Sequence, residues 1–229
     1  MQRIIKDFSI LFFPPLCNAC NRMLLHGESC LCSFCAGSLP RTGLHLHKEN
    51  RLAEIFWGRV RIETGTALYH YHKGGLVQSL IHRLKYSDAT EVGLFAGRVL
   101  GRLLRSSPLY AGLDLILPVP LHPARLKARG YNQSEWFGLG LSEAMNISLR
   151  CDLLVREAAT ETQTNKRRFR RWENVATAFS VCDPGGVEHK NILLVDDVLT
   201  TGSTLEACAG KLLEHPGARV WIAAIAVAL

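Results

Sequence analysis

The chain has 229 residues, 48% of them apolar and 21% charged, with nine prolines and eight cysteines. That composition excludes a disordered or collagen-like chain and leaves enough apolar surface for a substantial core. A net charge of +7 favours polyanionic partners such as nucleic acid or phosphate-rich ligands, subject to where the charges sit.

The early run FSILFFPPL is short, follows Asp7 and is broken by Pro14 and Pro15, so no signal peptide is expected. The apolar VWIAAIAVAL at 220–229 is too short to cross a bilayer, so no membrane span is expected and the protein is read as cytoplasmic. Five of the eight cysteines fall between Cys17 and Cys35. CNAC, eleven residues, then CSFC place Cys17 and Cys20 in one knuckle and Cys32 and Cys35 in another. One C-x-x-C is open to redox chemistry, but two at this spacing favour a closed four-sulfur zinc site. So small a module cannot bury enough apolar surface to fold alone, and a structural zinc contributes about 10 kcal/mol or more. Cys30 and His26 remain alternative ligands. Cys151, Cys182 and Cys208 stand apart and read as core residues. The expected division is a zinc-knuckle region with linker over 1–60 and a larger domain over 61–229.

In the larger part, strand and helix patterns alternate. TALYHY (66–71) reads as a strand; GLVQSLIHRLKY (75–86) and EVGLFAGRVLGRLL (91–104) have helical spacing. LDLILPVP (113–120) is an apolar run closed by prolines, as in a buried parallel strand. A helix over 132–146, a strand NILLVDD (191–197), a helix over 203–215 and a last strand over 218–228 complete the series. The alternation predicts an α/β fold with a mostly parallel sheet, whose ligands bind beyond the carboxyl ends of strands.

ILLVDDVLTTGST (192–204) sets two adjacent carboxylates, Asp196 and Asp197, at the end of an apolar run. Ser203 and Glu206 have capping-box spacing, so a helix is expected to start there. Gly202, the free amides of a helix N-terminus and the Thr/Ser hydroxyls suit a phosphate, and the carboxylates suit a cis-diol. Together they describe ribose 5-phosphate. A nucleotide-binding P-loop needs G-x-x-x-x-G-K-[ST], which is missing, and GLGLSE (138–143) lacks the third glycine of a dinucleotide fold.

These stretches, with LKY (84–86), PVPLHPARLKARGYNQ (118–133) and RWENV (171–175), resemble the ComF family in content and order over nearly the whole chain. The resemblance implies a type I phosphoribosyltransferase fold that binds phosphoribosyl pyrophosphate (PRPP) with magnesium, beside the structural zinc. It implies that Asp196 and Asp197 hold the ribose hydroxyls, and that Thr200, Thr201, Gly202, Ser203 and Thr204 hold the 5-phosphate. Pro120, Leu121 and His122 would form the pyrophosphate loop, with Lys85, Arg125, Arg129 and Arg171 nearby and Lys127 undecided. Asp196, Asp197 and Arg129 would carry the catalysis. The implied activity is phosphoribosyl transfer to an unidentified acceptor with pyrophosphate release, linked to DNA uptake. The alternative is a non-catalytic PRPP-regulated protein that handles single-stranded DNA together with the uptake machinery. KRRFRRW (166–172) interleaves basic and aromatic residues, which suits either single-stranded nucleic acid or pyrophosphate.

Overall fold

The computed structural model describes residues 14–156 and 178–228. Arg171 and the basic stretch 166–172 lie outside the described residues. The centre is a five-stranded sheet in the order β1-β7-β6-β2-β3, every neighbouring pair parallel. Its strands are β1 (Gly65–His70), β2 (Leu115–Pro118), β3 (Ser148–Leu149), β6 (Asn191–Leu199) and β7 (Arg219–Val227). β4 (Leu154–Arg156) and β5 (Phe179–Val181) form a separate antiparallel pair. The expected α/β fold with a mostly parallel sheet is present.

The central strands are nearly continuous apolar runs because both faces are covered. The helices are α1 (Ser33–Ser38), α2 (Arg51–Glu54), α3 (Leu76–Tyr86), α4 (Thr90–Arg105), α5 (Pro123–Arg129), α6 (Gln133–Met145) and α7 (Ser203–Leu213). Leu193 and Val195 bury in one cluster with Leu84 of α3, Leu100 of α4 and Phe137 of α6. Ile192 and Leu194 bury in the other with Leu52, Phe56, Cys208 of α7 and Phe179. This is the two-residue alternation of a strand read out in packing. α4 and α6 touch backbone to backbone: a Cβ on Gly97 would come within 2.2 Å of the Phe137 carbonyl oxygen.

The knuckle is not a free appendage. Leu24, Cys30, Leu31 and Leu39 are buried in the same cluster as α3 and α4, and Asn18 Nδ2 donates to Glu91 Oε1 at 3.0 Å.

Three sequence expectations are corrected. β6 does not stop at the acids but runs to Leu199, because β7 continues to pair with it through Val198↔Ala226 and Leu199↔Val227. The N-cap of α7 is Gly202 and Ser203 is its first helical residue, so no capping box forms; Glu206 pairs instead with Arg59. Cys208 is buried as expected, whereas Cys151 and Cys182 are exposed, since they flank the short β4–β5 pair outside the main sheet.

Candidate functional site

The connections decide where the crevice lies. From β2 the chain passes through α6 to β3 on one side; from β6 it passes through α7 to β7 on the other. The loops after β2 and β6 therefore diverge, and a crevice opens between them. β2 pairs with β6 only as far as Pro118↔Val195, so Asp196 and Asp197 emerge just where β2 leaves the sheet.

The two acids have separate partners. Asp197 is buried, and its Oδ2 faces Lys85 Nζ at 3.0 Å, an ion pair whose angle makes no hydrogen bond. Asp196 Oδ1 accepts from Ser134 Oγ and from the Asp197 amide, both at 2.8 Å. Burial, then the charge of Asp197, push the Asp196 carboxyl up to about 7, with the Asp197 amide, Ser134 and Lys85 pulling the other way. Arg156 on β4 feels the charge of Asp196; burial, then Arg125, lower its pKa.

The Thr200–Thr204 loop is built around one glycine. Gly202 has φ +77°, and a Cβ there would lie 3.0 Å from Ile55 Cγ2 and 3.1 Å from Phe56 Cε1. Only glycine fits both the left-handed backbone and the wall behind it. Because Gly202 is the N-cap, no side chain caps α7, and the first helical amides are left to an anion. Arg59 braces the loop: its Nη1 donates to the Thr201 carbonyl at 2.9 Å and its Nη2 pairs with Glu206. Thr200 and Thr201 are exposed, and Ser203 and Thr204 half-buried.

Across the crevice, Pro120, Leu121 and His122 form the turn into α5, where His122 Nδ1 accepts the Ala124 amide at 3.2 Å. Asn132 fastens this loop from behind, donating from Nδ2 to the Val119 carbonyl at 3.0 Å and accepting the Ser134 amide at 3.1 Å. Arg125 and Lys127 are exposed on α5. Arg129 donates to Gln133 and lies over the Tyr86 ring, 5.7 Å from its centroid. Ser134, Asn132, Arg156 and Arg59 escaped sequence reasoning. The signal for the first two was Asn132 followed by Glu135, an N-terminal capping pattern. Arg59 carries no local signal for this role, since Thr201 and Glu206, which it braces, are over 140 residues away.

In the knuckle, the sulfurs of Cys17, Cys20, Cys32 and Cys35 all lie within 4.8 Å of one another. Cys20 Sγ and Cys32 Sγ are 3.8 Å apart, which matches the roughly 3.8 Å edge of a tetrahedron with zinc–sulfur bonds of about 2.3 Å. Cys30 is buried against Asn18 and His26 is exposed, and neither joins the cluster. Burial alone would raise the Cys17 pKa, but amides of Cys32, Cys20 and Ala19 outweigh it and bring it to about 6. The set fits a closed, four-coordinate metal site.

No family model matches the chain. The DNA utilization protein YhgH of Shigella flexneri is 31% identical over 233 aligned positions, covering 93% of this chain and 97% of its own. Competence protein F of Haemophilus influenzae is 29% identical, covering 90% and 88% respectively. The chain belongs to the ComF family. Competence protein ComFC of Streptococcus pneumoniae, 27% identical over 86% of this chain and 87% of its own, extends the ComF set. Among solved structures, the ComF chain is similar to a glutamine phosphoribosylpyrophosphate amidotransferase from B. subtilis. That match has a TM-score of 0.44 and 20% identity, and covers 64% of this chain and 30% of that one. It is also similar to a hypoxanthine phosphoribosyltransferase from Staphylococcus aureus, with a TM-score of 0.36 and 17% identity, covering 59% and 62%. Among the described residues, no helix is long and apolar enough to cross a membrane.

Proposed function

We propose that the chain binds PRPP with magnesium in the β2–β6 crevice and transfers the phosphoribosyl group to an acceptor, releasing pyrophosphate. The observation that carries this reading is the uncapped N-terminus of α7, opened by Gly202 a few residues beyond two carboxylates. The free amides of Ser203 and Thr204 suit the 5-phosphate, and Asp196 and Asp197 suit the ribose hydroxyls.

The carboxylates also fit magnesium, which takes one or two such oxygens together with substrate phosphates. When bound, the ion would neutralise charge on the departing pyrophosphate. The chain's own residues supply the rest. The 120–122 turn and Arg125 line the pyrophosphate side, and Lys85 balances the charge of Asp197. In its ionised form Asp196 serves as an acceptor for the diol, its proton having passed to solvent. In the transfer, the bond from ribose C1 to the pyrophosphate oxygen breaks with its electron pair leaving on pyrophosphate, and the acceptor's lone pair forms the new bond to C1. Positioning and electrostatics carry most of such a step.

A second reading rests on the names of the relatives, which speak of DNA utilization and competence, and on the +7 charge. In it, PRPP binding regulates the handling of single-stranded DNA without turnover.

Calorimetry with PRPP, with and without magnesium, tests the first point. Magnesium-dependent binding is expected, and Asp197→Asn is expected to abolish it while the fold persists; unchanged affinity in that variant would falsify the diol assignment. Pyrophosphate release with some acceptor favours transfer. Binding without release, together with DNA affinity that falls steeply with salt, favours the second reading. No PRPP binding in either condition overturns both.

A further inference from the structure

Four consecutive residues at the end of α3 each touch a different part of the molecule. Arg83 donates to Asn21 Oδ1 in the zinc knuckle. The Leu84 carbonyl accepts from Tyr131 Oη, in the segment leading into α6. Lys85 pairs with Asp197 at 3.0 Å. Tyr86 lies under the Arg129 guanidinium.

We infer that the knuckle is a positioning element for the crevice: through Asn21 and Arg83 it fixes the end of α3, and thereby holds Lys85 against Asp197. The inference rests on the PRPP reading only for its affinity readout. Arg83 and Asn21 are positioning residues; neither touches the crevice.

The geometry gives the tie its direction. Asn21 directly follows the knuckle cysteine Cys20, and its amide donates to the Cys17 carbonyl at 2.9 Å. Its φ of +62° is left-handed, a conformation Asn tolerates and most residues do not. The metal-binding turn therefore decides where the Asn21 side chain points. On the other side, α3 has only eleven residues and no side-chain N-cap. A helix this short frays at its ends unless tertiary contacts hold them. Lys85 sits in that last turn on a long flexible stem, so its ammonium position depends on the turn beneath it. A second contact, Asn18 Nδ2 to Glu91 Oε1 at 3.0 Å, pins the knuckle to the first turn of α4. The knuckle thus grips both sides of the 87–89 corner that follows Lys85.

The test uses full-length, zinc-loaded protein. Asn21→Gly removes the side chain but keeps the left-handed turn, and Arg83→Gln removes the charged donor from the other end. Zinc content is expected to stay at one per chain in both. Amide exchange over 84–88 should speed up by about three- to tenfold, the scale of one ordinary, solvent-exposed hydrogen bond. Magnesium–PRPP affinity should fall by a similar factor, Arg83→Lys should restore both, and Lys85→Ala combined with Arg83→Gln should cost no more affinity than Lys85→Ala alone. Unchanged exchange over 84–88 in both Asn21→Gly and Arg83→Gln overturns the tie, whatever PRPP does. Faster exchange with unchanged PRPP affinity overturns its role at the crevice. If the wild-type protein binds no PRPP, the PRPP reading fails by itself, and the exchange data with the Arg83→Lys rescue still decide the tie.

Discussion

At the knuckle four thiols lie within 4.8 Å of one another; at the β6 corner two carboxylates occupy consecutive residues. Both places gather groups that repel when ionised, and they resolve the repulsion by different means. The thiols share one centre, and only a cation placed at that centre neutralises them together. The carboxylates alternate along a strand, so each finds its own partners: Lys85 for Asp197, Ser134 and an amide for Asp196. Burial, and then the repulsion that remains, appear as the raised Asp196 carboxyl. A metal-built site is all or nothing, whereas a sheet-built site can lose parts singly.

The largest effect should therefore come from the knuckle. Cys20→Ser should drop bound zinc from one per chain to none and leave 14–39 open to protease, since metal binding on the order of 10 kcal/mol holds such a module together. Mass spectrometry and limited proteolysis check this. Retained zinc would show that Cys30 or His26 can substitute, and would weaken the contrast.

Next comes the Thr200–Thr204 loop. Gly202→Ala should destabilise by about 2–3 kcal/mol, combining a left-handed backbone with a Cβ pressed against Ile55 and Phe56. Urea unfolding measures the loss. An unchanged midpoint would mean that the loop relaxes freely and that its backing wall does not shape it.

Asp196→Asn should stabilise the protein at pH 8, the sense given by linkage; the full shift corresponds to about 4 kcal/mol, and the partial exposure of Asp196 cuts this to about 2 kcal/mol. The ordinary carboxyl value is 3.8 and the folded one about 7. Ionising Asp196 in the fold is costly, so wild-type stability falls as pH rises from about 4 through 7, and the neutral variant escapes that loss. Below pH 3.8 the two proteins should melt alike. A thermal unfolding series across pH reads both arms.

The smallest effect belongs to Arg59→Ala, at about 1 kcal/mol, because its pair with Glu206 is partly exposed. Beside that small loss of stability, its mark should be weaker binding of phosphate, read by calorimetry.

Much of this was legible in the sequence. The two C-x-x-C pairs were legible because each is a local turn and a four-sulfur metal site takes two of them. The element order followed from apolar periodicity, and the Asp196–Thr204 run was visible because strand, acids and Gly/Thr/Ser loop are contiguous. Local signals failed where a residue had a distant competitor. Ser203 has the spacing of a capping box, but Arg59 takes Glu206 and Gly202 takes the cap. The apolar pattern places the strand's end at Asp197, but β7 extends it to Leu199.

The sequence by itself determined the composition of both centres: four thiols at knuckle spacing, and two acids before a Gly/Thr/Ser loop. Only the tertiary structure decided how they are held and joined. Lys85 meets Asp197, Arg59 meets Thr201 and Asn21 meets Arg83 across separations of more than sixty residues. Such contacts are selected by packing the whole sheet and its helices, a condition that no local window of sequence contains.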